Sequence, residues 1–439
     1  MEHQIEANEP PRSQAQREQR FLQWLADNGA VFPKLQWPAM TENGHRGVVA
    51  LQDIATDESM LQIPVELVIS EQRCWQDPQL KSVLEANRDV FSRDDPVLAL
   101  FLVREMLKGD ASFFEPYLSI LPYPESVQDW SDDELAELHD RRLVDAAKRR
   151  QCDIDTFYDR VFTALDEKCP GEFPREQYTR EKFAFAWKTI QARTFGRRLP
   201  WTALVPFADC LNHTNVATKY DFDVNDNGMF RLFPSGSNSY VVGEEVFNSY
   251  GRRSNFQLLL DYGFALPENE WDYVDIELPK DAMGKKFPFL RRLQLDRRTS
   301  LEELFPVSIL DSIAALSPNA AAIAGISVTE SDVDAERIAL QTGYECLRGV
   351  MVSALEGFGT TIQDAELQLS GKETPERRRA ALTYCVSRMK IVAYVIRQID
   401  DALDRNKKSP ARDAAKEGNE TNDATVNDEL SNLDLNGHS

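Results

Sequence analysis

Two polar-aromatic clusters hold the residue types that could do chemistry. One runs Pro206-Phe207-Ala208-Asp209-Cys210-Leu211-Asn212-His213-Thr214. The other runs Gly243-Glu244-Glu245-Val246-Phe247-Asn248-Ser249-Tyr250-Gly251, with Asn255 and Tyr262-Gly263-Phe264 beyond it. Asn212 and His213 follow an apolar run, where a side-chain amide and exposed backbone groups can meet a ligand. Tyr250-Gly251 reads as a strand end, so the phenol sits at a turn. Asp209 and His213 stand four apart, but a hydrolase would also need an activated Ser or Cys. Spacing alone therefore favours a structural Asp and His. GxGxxG, Walker A, GxSxG and HExxH motifs are absent. With five histidines and six scattered cysteines without a CxxC pair, no zinc site is expected.

The surrounding pattern alternates between short strands and helices. Phe21-Leu22-x-Trp24-Leu25 has helical spacing and stops at Asn28-Gly29. Gly44-His45-Arg46-Gly47 is a glycine-flanked turn feeding a β-branched strand to Leu51, followed by short strands at Met60–Ile63 and Leu67–Ile69. Residues 79–192 read as helical. Val97–Leu107 is apolar enough for a buried helix, and Ser131-Asp132-Asp133-Glu134 is a capping box opening a helix towards Arg150. Amphipathic stretches follow near Asp153–Leu165 and Arg180–Ile190. Strands return after Leu204, at Tyr220–Val224, Met229–Phe233 and Tyr240–Val242, before a helix over Ser254–Leu260 that ends at Gly263. Beyond about residue 280 the texture is helical again. Thr374-Pro375-Glu376 starts a helix whose stripe (Ala381, Cys385, Met389, Val392, Val395, Ile399, Leu403) is a packing face.

Composition limits the partners. The 439 residues carry 72 acids against 50 Lys and Arg, a formal charge of −22. Such a chain repels phosphate backbones and attracts basic proteins, so nucleic acid is not expected as a partner. No apolar run is long enough for a membrane-spanning helix, and no membrane partner is expected. The first 30 residues lack an apolar core and carry Glu2, Glu6, Glu9 and Glu18, which speaks against a secretory signal and an organelle transit peptide. The cysteines are read as reduced core thiols. A cytoplasmic or nuclear protein is the expectation, and the oligomeric state is left open.

The ordered set Gly44…Arg193…Asp209-x-x-Asn212-His213…Gly243-Glu244-Glu245…Tyr250-Gly251…Tyr262-Gly263-Phe264 resembles the SET-domain protein methyltransferases. Within them it is most similar to the branch typified by the Rubisco large-subunit lysine methyltransferase. The resemblance implies an α+β chain: a small-sheet SET fold over 21–265, interrupted by a helical insertion at about 79–192, then an all-helical substrate-binding domain over 270–403. Residues 1–20 are expected to be a flexible leader and 404–439 a disordered acidic tail. It also implies methyl transfer from S-adenosylmethionine (AdoMet) to a lysine of a non-histone protein, such as a ribosomal protein or translation factor. Gly44, His45, Arg46, Asn212, His213, Tyr250 and Phe264 would meet the cofactor. Arg193, Asp209, Tyr220 and Tyr262 would line the substrate site, with Tyr250 catalytic. Glu244 and Glu245 are read as a solvated turn.

Two alternatives stand beside this reading. A related sub-branch methylates a histidine of actin and has Asn two positions after the matched Arg, where this chain has Phe195; an apolar wall suits a lysine stem better. The fold could also serve as a non-catalytic protein-binding module, although such a module would not need both the Asn212-His213 pair and Tyr250. The zinc-binding cysteine cluster that follows many histone-directed SET domains is absent, which points away from histone tails.

Overall fold

Ser13 and Gln16 form a reciprocal capping box that opens the first helix, α1 (Gln14–Asp27), and Phe21, Trp24 and Leu25 are its buried stripe. The computed structural model describes residues 12–41, 44–196, 199–223, 228–277, 292–298, 300–301, 332–371 and 373–408. Helix α1 thus begins inside the stretch expected to be a flexible leader. Ion pairs from Arg20 to Glu115 and from Arg46 to Glu18 fasten it to the rest of the chain. The expected leader before residue 12 lies outside the described residues.

Short antiparallel strands follow. β1 (Leu35–Met40) pairs with β2 (Arg46–Ala50). β3 (Leu61–Pro64) and β4 (Ile69–Ser70) join partners from much later in the chain. Between them and those partners lie seven α-helices: α2 (Glu71–Gln76), α3 (Lys81–Ala86), α4 (Asp94–Lys108), α5 (Glu115–Leu118), α6 (Asp132–Ala136), α7 (Arg141–Lys168) and α8 (Arg180–Arg193). Helix α4 is the buried one, its residues from Pro96 to Val103 all removed from water. The capping box at Ser131 and Glu134 forms but opens only α6, not a helix running to Arg150. The chain breaks at His139, which has φ 46°. Asp140 then caps α7 by accepting the Arg142 and Leu143 N–H groups.

After the helices, β5 (Thr194–Phe195) and β6 (Ala203–Leu204) complete a three-stranded sheet in the order β4-β6-β5, while β7 (Thr218–Asp223) and β8 (Met229–Pro234) complete another in the order β3-β8-β7. Tyr240 makes only an isolated bridge to Ile54, and Phe247–Tyr250 is irregular, not the strand end expected from the sequence. Helix α9 (Asn255–Tyr262) carries a Ser254–Gln257 capping box and ends at Gly263 in the left-handed region, φ 81°.

The C-terminal part is mainly helical, with α10 (Asp332–Glu356), α11 (Ile362–Ser370) and α12 (Glu376–Lys408). It is not all-helical as expected. β9 (Val274–Glu277) pairs antiparallel with β10 (Arg292–Leu295), because Val274, Ile276, Leu293 and Leu295 alternate with polar residues and bury one face. Helix α12 runs past residue 403 to Lys408, and the remainder of the expected tail lies outside the described residues. The six cysteines are free thiols. Cys74, Cys169 and Cys385 are core residues as expected, but Cys152 is exposed.

Candidate active site

The floor of the site is an ion pair between the buried Asp209 and the partly buried Arg193. Arg193 is the last residue of α8, and β6 leads through Val205 and Phe207 into a one-turn helix at Ala208–Cys210. Phe207 holds a left-handed backbone, φ 71°, an unfavourable conformation for an aromatic residue, fixed by its fully buried ring stacked 4.1 Å from Phe32. That turn directs Asp209 inward. Its carboxylate accepts a hydrogen bond from the Tyr117 hydroxyl at 2.8 Å and from Arg193 Nη1 at 3.1 Å, and Arg193 also donates to the Asp209 carbonyl at 2.9 Å. Burial pushes the Asp209 pKa up, with the guanidinium and the phenol pulling against it. For Arg193 burial opposes the charge, but the Asp209 carboxylate outweighs it and the guanidinium stays protonated.

Above the floor stands a wall of rings. His213 stacks on Tyr250 with centroids 4.9 Å apart and planes 13° from parallel, and Tyr250 packs against Tyr262 at 4.8 Å. Phe264 lies 6.1 Å from Tyr262 and 6.3 Å from His213. The segment carrying Tyr250 is threaded along the segment carrying His213. Asn248 N–H donates to the Asn212 carbonyl at 2.8 Å, Tyr250 N–H to His213 Nδ1 at 3.1 Å, and the Tyr250 hydroxyl to the Leu211 carbonyl at 2.9 Å. Withdrawal from water raises the pKa of both phenols. It lowers that of His213 to about 4, so the ring is neutral at pH 7. His213 Nε2 is buried with no partner among the described residues.

Beside the wall, at the residue before His213, is a polar corner. Asn212 Nδ2 donates to Glu245 Oε1 at 2.8 Å and to the Arg46 carbonyl at 3.3 Å. Gly47 lies against both groups: a Cβ there would sit 2.7 Å from Glu245 Oε1 and 2.9 Å from Asn212 Nδ2. Gly44 occupies a left-handed turn at φ 76°. The Arg46 side chain is engaged elsewhere, by Glu18 at 2.8 Å, the Ile120 carbonyl at 3.3 Å and the Trp37 face. It is the backbone of this loop that meets Asn212. His45 is exposed, with Nδ1 3.9 Å from Glu376 at the start of α12.

The structure thus brings Asn212, His213, Tyr250, Tyr262 and Phe264 into one neighbourhood, with Arg193 and Asp209 tied to the same backbone turn. Tyr220 is placed differently. Its ring contacts are to Phe195 at 5.4 Å and Phe230 at 5.6 Å, with none to Tyr250 or Tyr262. Two participants escaped the sequence reading. Tyr117 reaches Asp209 across 92 positions, and no local pattern announces such a contact. Glu245 was expected to be solvated together with Glu244. Only Glu244 fits, accepting the Val241 N–H in a turn, whereas Glu245 is half-buried against Asn212, where burial raises its pKa.

These residues fit AdoMet in kind. The unanswered His213 Nε2 and a carboxamide beside a glycine-opened backbone are the features of a polar ligand site, because a buried polar atom left unpaired costs about 1–3 kcal/mol.

No family model matches the chain. A chloroplastic [fructose-bisphosphate aldolase]-lysine N-methyltransferase of Arabidopsis thaliana is 28% identical over 410 residues, covering 87% of this chain and 81% of that protein. The chloroplastic Rubisco large-subunit N-methyltransferase of Pisum sativum is 31% identical over 273 residues, covering 58% of this chain and 53% of that protein. An actin-histidine N-methyltransferase of Dasypus novemcinctus is more distant, at 24% over 268 residues, covering 59% of this chain and 44% of that protein. The solved structure of Rubisco LSMT bound to sinefungin and monomethyllysine superposes with a TM-score of 0.61 at 22% identity, over 89% of this chain and 93% of that one. Fold and relatives point the same way: the chain has the fold of the Rubisco LSMT SET-domain structures, and its sequence is similar to protein-lysine methyltransferases of that type.

Proposed function

We propose that this chain is an AdoMet-dependent protein-lysine N-methyltransferase. The observation that carries the reading is the threading of Asn248–Tyr250 along Leu211–His213, which joins the phenol wall to the carboxamide corner through three hydrogen bonds. AdoMet, when bound, supplies a methyl group on a sulfonium. Backbone groups of Gly44–Gly47, Asn212 and His213 would hold its polar parts, and Phe264 an aromatic face.

The chain's own residues must deliver an uncharged amine. A lysine has an ordinary pKa of about 10.4 and must lose its proton before attack. Tyr250 and Tyr262 offer ring faces and hydroxyls instead of carboxylates, so an arriving ammonium gains no counter-charge from them and is driven towards its neutral form. Because their pKa values are raised, both phenols stay protonated and act by orienting the amine, not by abstracting its proton. The Tyr250 hydroxyl spends its proton on the Leu211 carbonyl, leaving oxygen lone pairs to accept an amine N–H. Arg193 and Asp209 neutralise each other in the floor and fix the turn that carries Asn212 and His213.

The substrate is a protein. We assign it to a non-histone class, because the cysteine cluster that follows many histone-directed SET domains is absent from the sequence, and to one with a basic surface, because the chain's charge of −22 attracts it. The two chloroplastic relatives are named for Rubisco and an aldolase, and these names give no support to the ribosomal or translation-factor class expected from the sequence. Lysine is favoured over histidine on the resemblance, since Phe195 stands where the actin-histidine sub-branch has Asn; its buried ring packs on Tyr220 and Phe230 and offers no hydrogen bond. We propose a cytoplasmic or nuclear location; fractionation of tagged protein tests this, and recovery in plastids would overturn it.

Calorimetry with AdoMet tests the enzyme reading, with Asn212→Ala as the control. Binding that is lost in the variant is expected, and a wild-type protein that binds no AdoMet would refute the proposal. Mass spectrometry of products from a cell extract then reads the modified residue; a mark on histidine would overturn the lysine assignment.

A further inference from the structure

We propose that Glu245 is the positioning residue for Asn212, holding its carboxamide in the one orientation that leaves Oδ1 free to accept a hydrogen bond from the cofactor. The inference rests on the AdoMet reading above and adds a residue to it. A carboxamide looks nearly the same either way round, so its neighbours decide which end is which. Here the decision is unambiguous. Nδ2 has two N–H groups and meets two groups that only accept, Glu245 Oε1 at 2.8 Å and the Arg46 carbonyl at 3.3 Å. Turning the amide over would press Oδ1 against both. With Nδ2 saturated, Oδ1 is the end without a partner among the described residues. Every polar hydrogen of AdoMet (its ammonium, its adenine amino group, its ribose hydroxyls) is a donor suited to that oxygen.

Glu245 owes its place to strand pairing. It bridges Val49, the Ala50 N–H donates to the Glu244 carbonyl at 2.9 Å, and the Val246 N–H donates to the Val48 carbonyl at 2.8 Å. These contacts draw the Glu245 side chain against β2 at Gly47, where the missing Cβ leaves room for it to meet Asn212. Adjacent glutamates therefore do different work: Glu244 closes a turn and Glu245 holds the amide.

Calorimetric titration of the full chain with AdoMet tests the assignment. Glu245→Ala is expected to raise Kd about tenfold, equivalent to ~1.4 kcal/mol. Glu245→Gln, which keeps a carbonyl acceptor, should stay within about threefold of wild type. In an Asn212→Ala background Glu245→Ala should add nothing further, because the group it positions is gone. Gly47→Ala provides a second route: its methyl forces the pair apart while leaving Glu245 intact, and Kd should again rise severalfold. A merely structural glutamate would instead lower the melting temperature, with Kd unchanged or with additive losses in the double variant, and either result overturns the inference. If wild type binds AdoMet and only the Glu245 effects fail, the methyltransferase reading stands without this residue. If wild type does not bind, that reading falls first.

Discussion

The two parts of the site are built by different physics. The ring wall of His213, Tyr250, Tyr262 and Phe264 is held by stacking and by burial, and its titratable groups are all driven to their neutral forms. The corner of Asn212, Glu245, Arg46 and Gly47 is held by directional hydrogen bonds to backbone and carboxylate, with a glycine where any side chain would intrude. The difference teaches that one site separates two tasks. A wall of neutral groups suits stripping charge from an amine, and a polar corner suits gripping a ligand rich in donors.

Four experiments would break or sharpen that contrast. The largest effect is expected at the floor both sides share. Arg193→Leu leaves Asp209 buried without its counter-ion, and denaturant titration should show a loss of about 3–5 kcal/mol, partly recovered by adding Asp209→Asn. A cheap Arg193 substitution would mean that the ion pair does not hold the two sides together. Next comes the pH dependence of His213. Its folded pKa of about 4 lies below the unfolded ~6.5, so the unfolded chain binds the extra proton between those values. This contribution to stability is full above pH 6.5 and falls as pH drops towards 4, by on the order of 3 kcal/mol. His213→Phe should flatten that part of the stability profile, and an unchanged slope would contradict the burial argument.

Tyr250→Phe sharpens the division of labour. Turnover should fall on the order of a hundredfold through lost positioning, while AdoMet affinity measured by calorimetry stays near wild type. Equal losses in both would merge the two sides into one. The smallest effect concerns the close contact between the end of α9 and the insertion. A Cβ at Gly263 would lie 2.3 Å from the Glu125 carbonyl and the residue holds φ 81°, so Gly263→Ala should cost about 1–3 kcal/mol in thermal unfolding. Full stability in that variant would show that the insertion yields there.

The contrast also explains what could be read from the sequence. The wall was legible because its residues sit in short motifs whose order survives without knowledge of the fold: Asn212-His213, Tyr250-Gly251 and Tyr262-Gly263-Phe264. Helices α1, α4, α8 and α9 were legible because caps and buried stripes are local. The corner was legible only in part, at Asn212 and the Gly44–Gly47 turn; Glu245 was not, since a glutamate two residues after Gly243 looks solvated until a distant strand is laid beside it. Tyr117 was invisible for the same reason. The α6–α7 break was missed because Asp140 caps the second helix while also accepting the Tyr384 hydroxyl at 2.7 Å, a contact made from far along the chain. The β9–β10 ladder was missed because Val-Asp-Ile-Glu is too short to outweigh helical neighbours.

Helix α12 has a practical consequence for anyone handling the protein. Its first half packs with α9 and α11, its second half with β9, β10 and α10, and along the way Ser387 donates to Asp272 at 2.6 Å and Arg388 pairs with Asp140 at 3.2 Å. Shortening a recombinant version to end at the last site motif, near Phe264, would strip the cap residue of α7 of two of its partners and bare the outer face of α9, one turn away from Tyr262. Expression trials should therefore keep everything through Lys408, and trimming is better begun from the far C-terminal end.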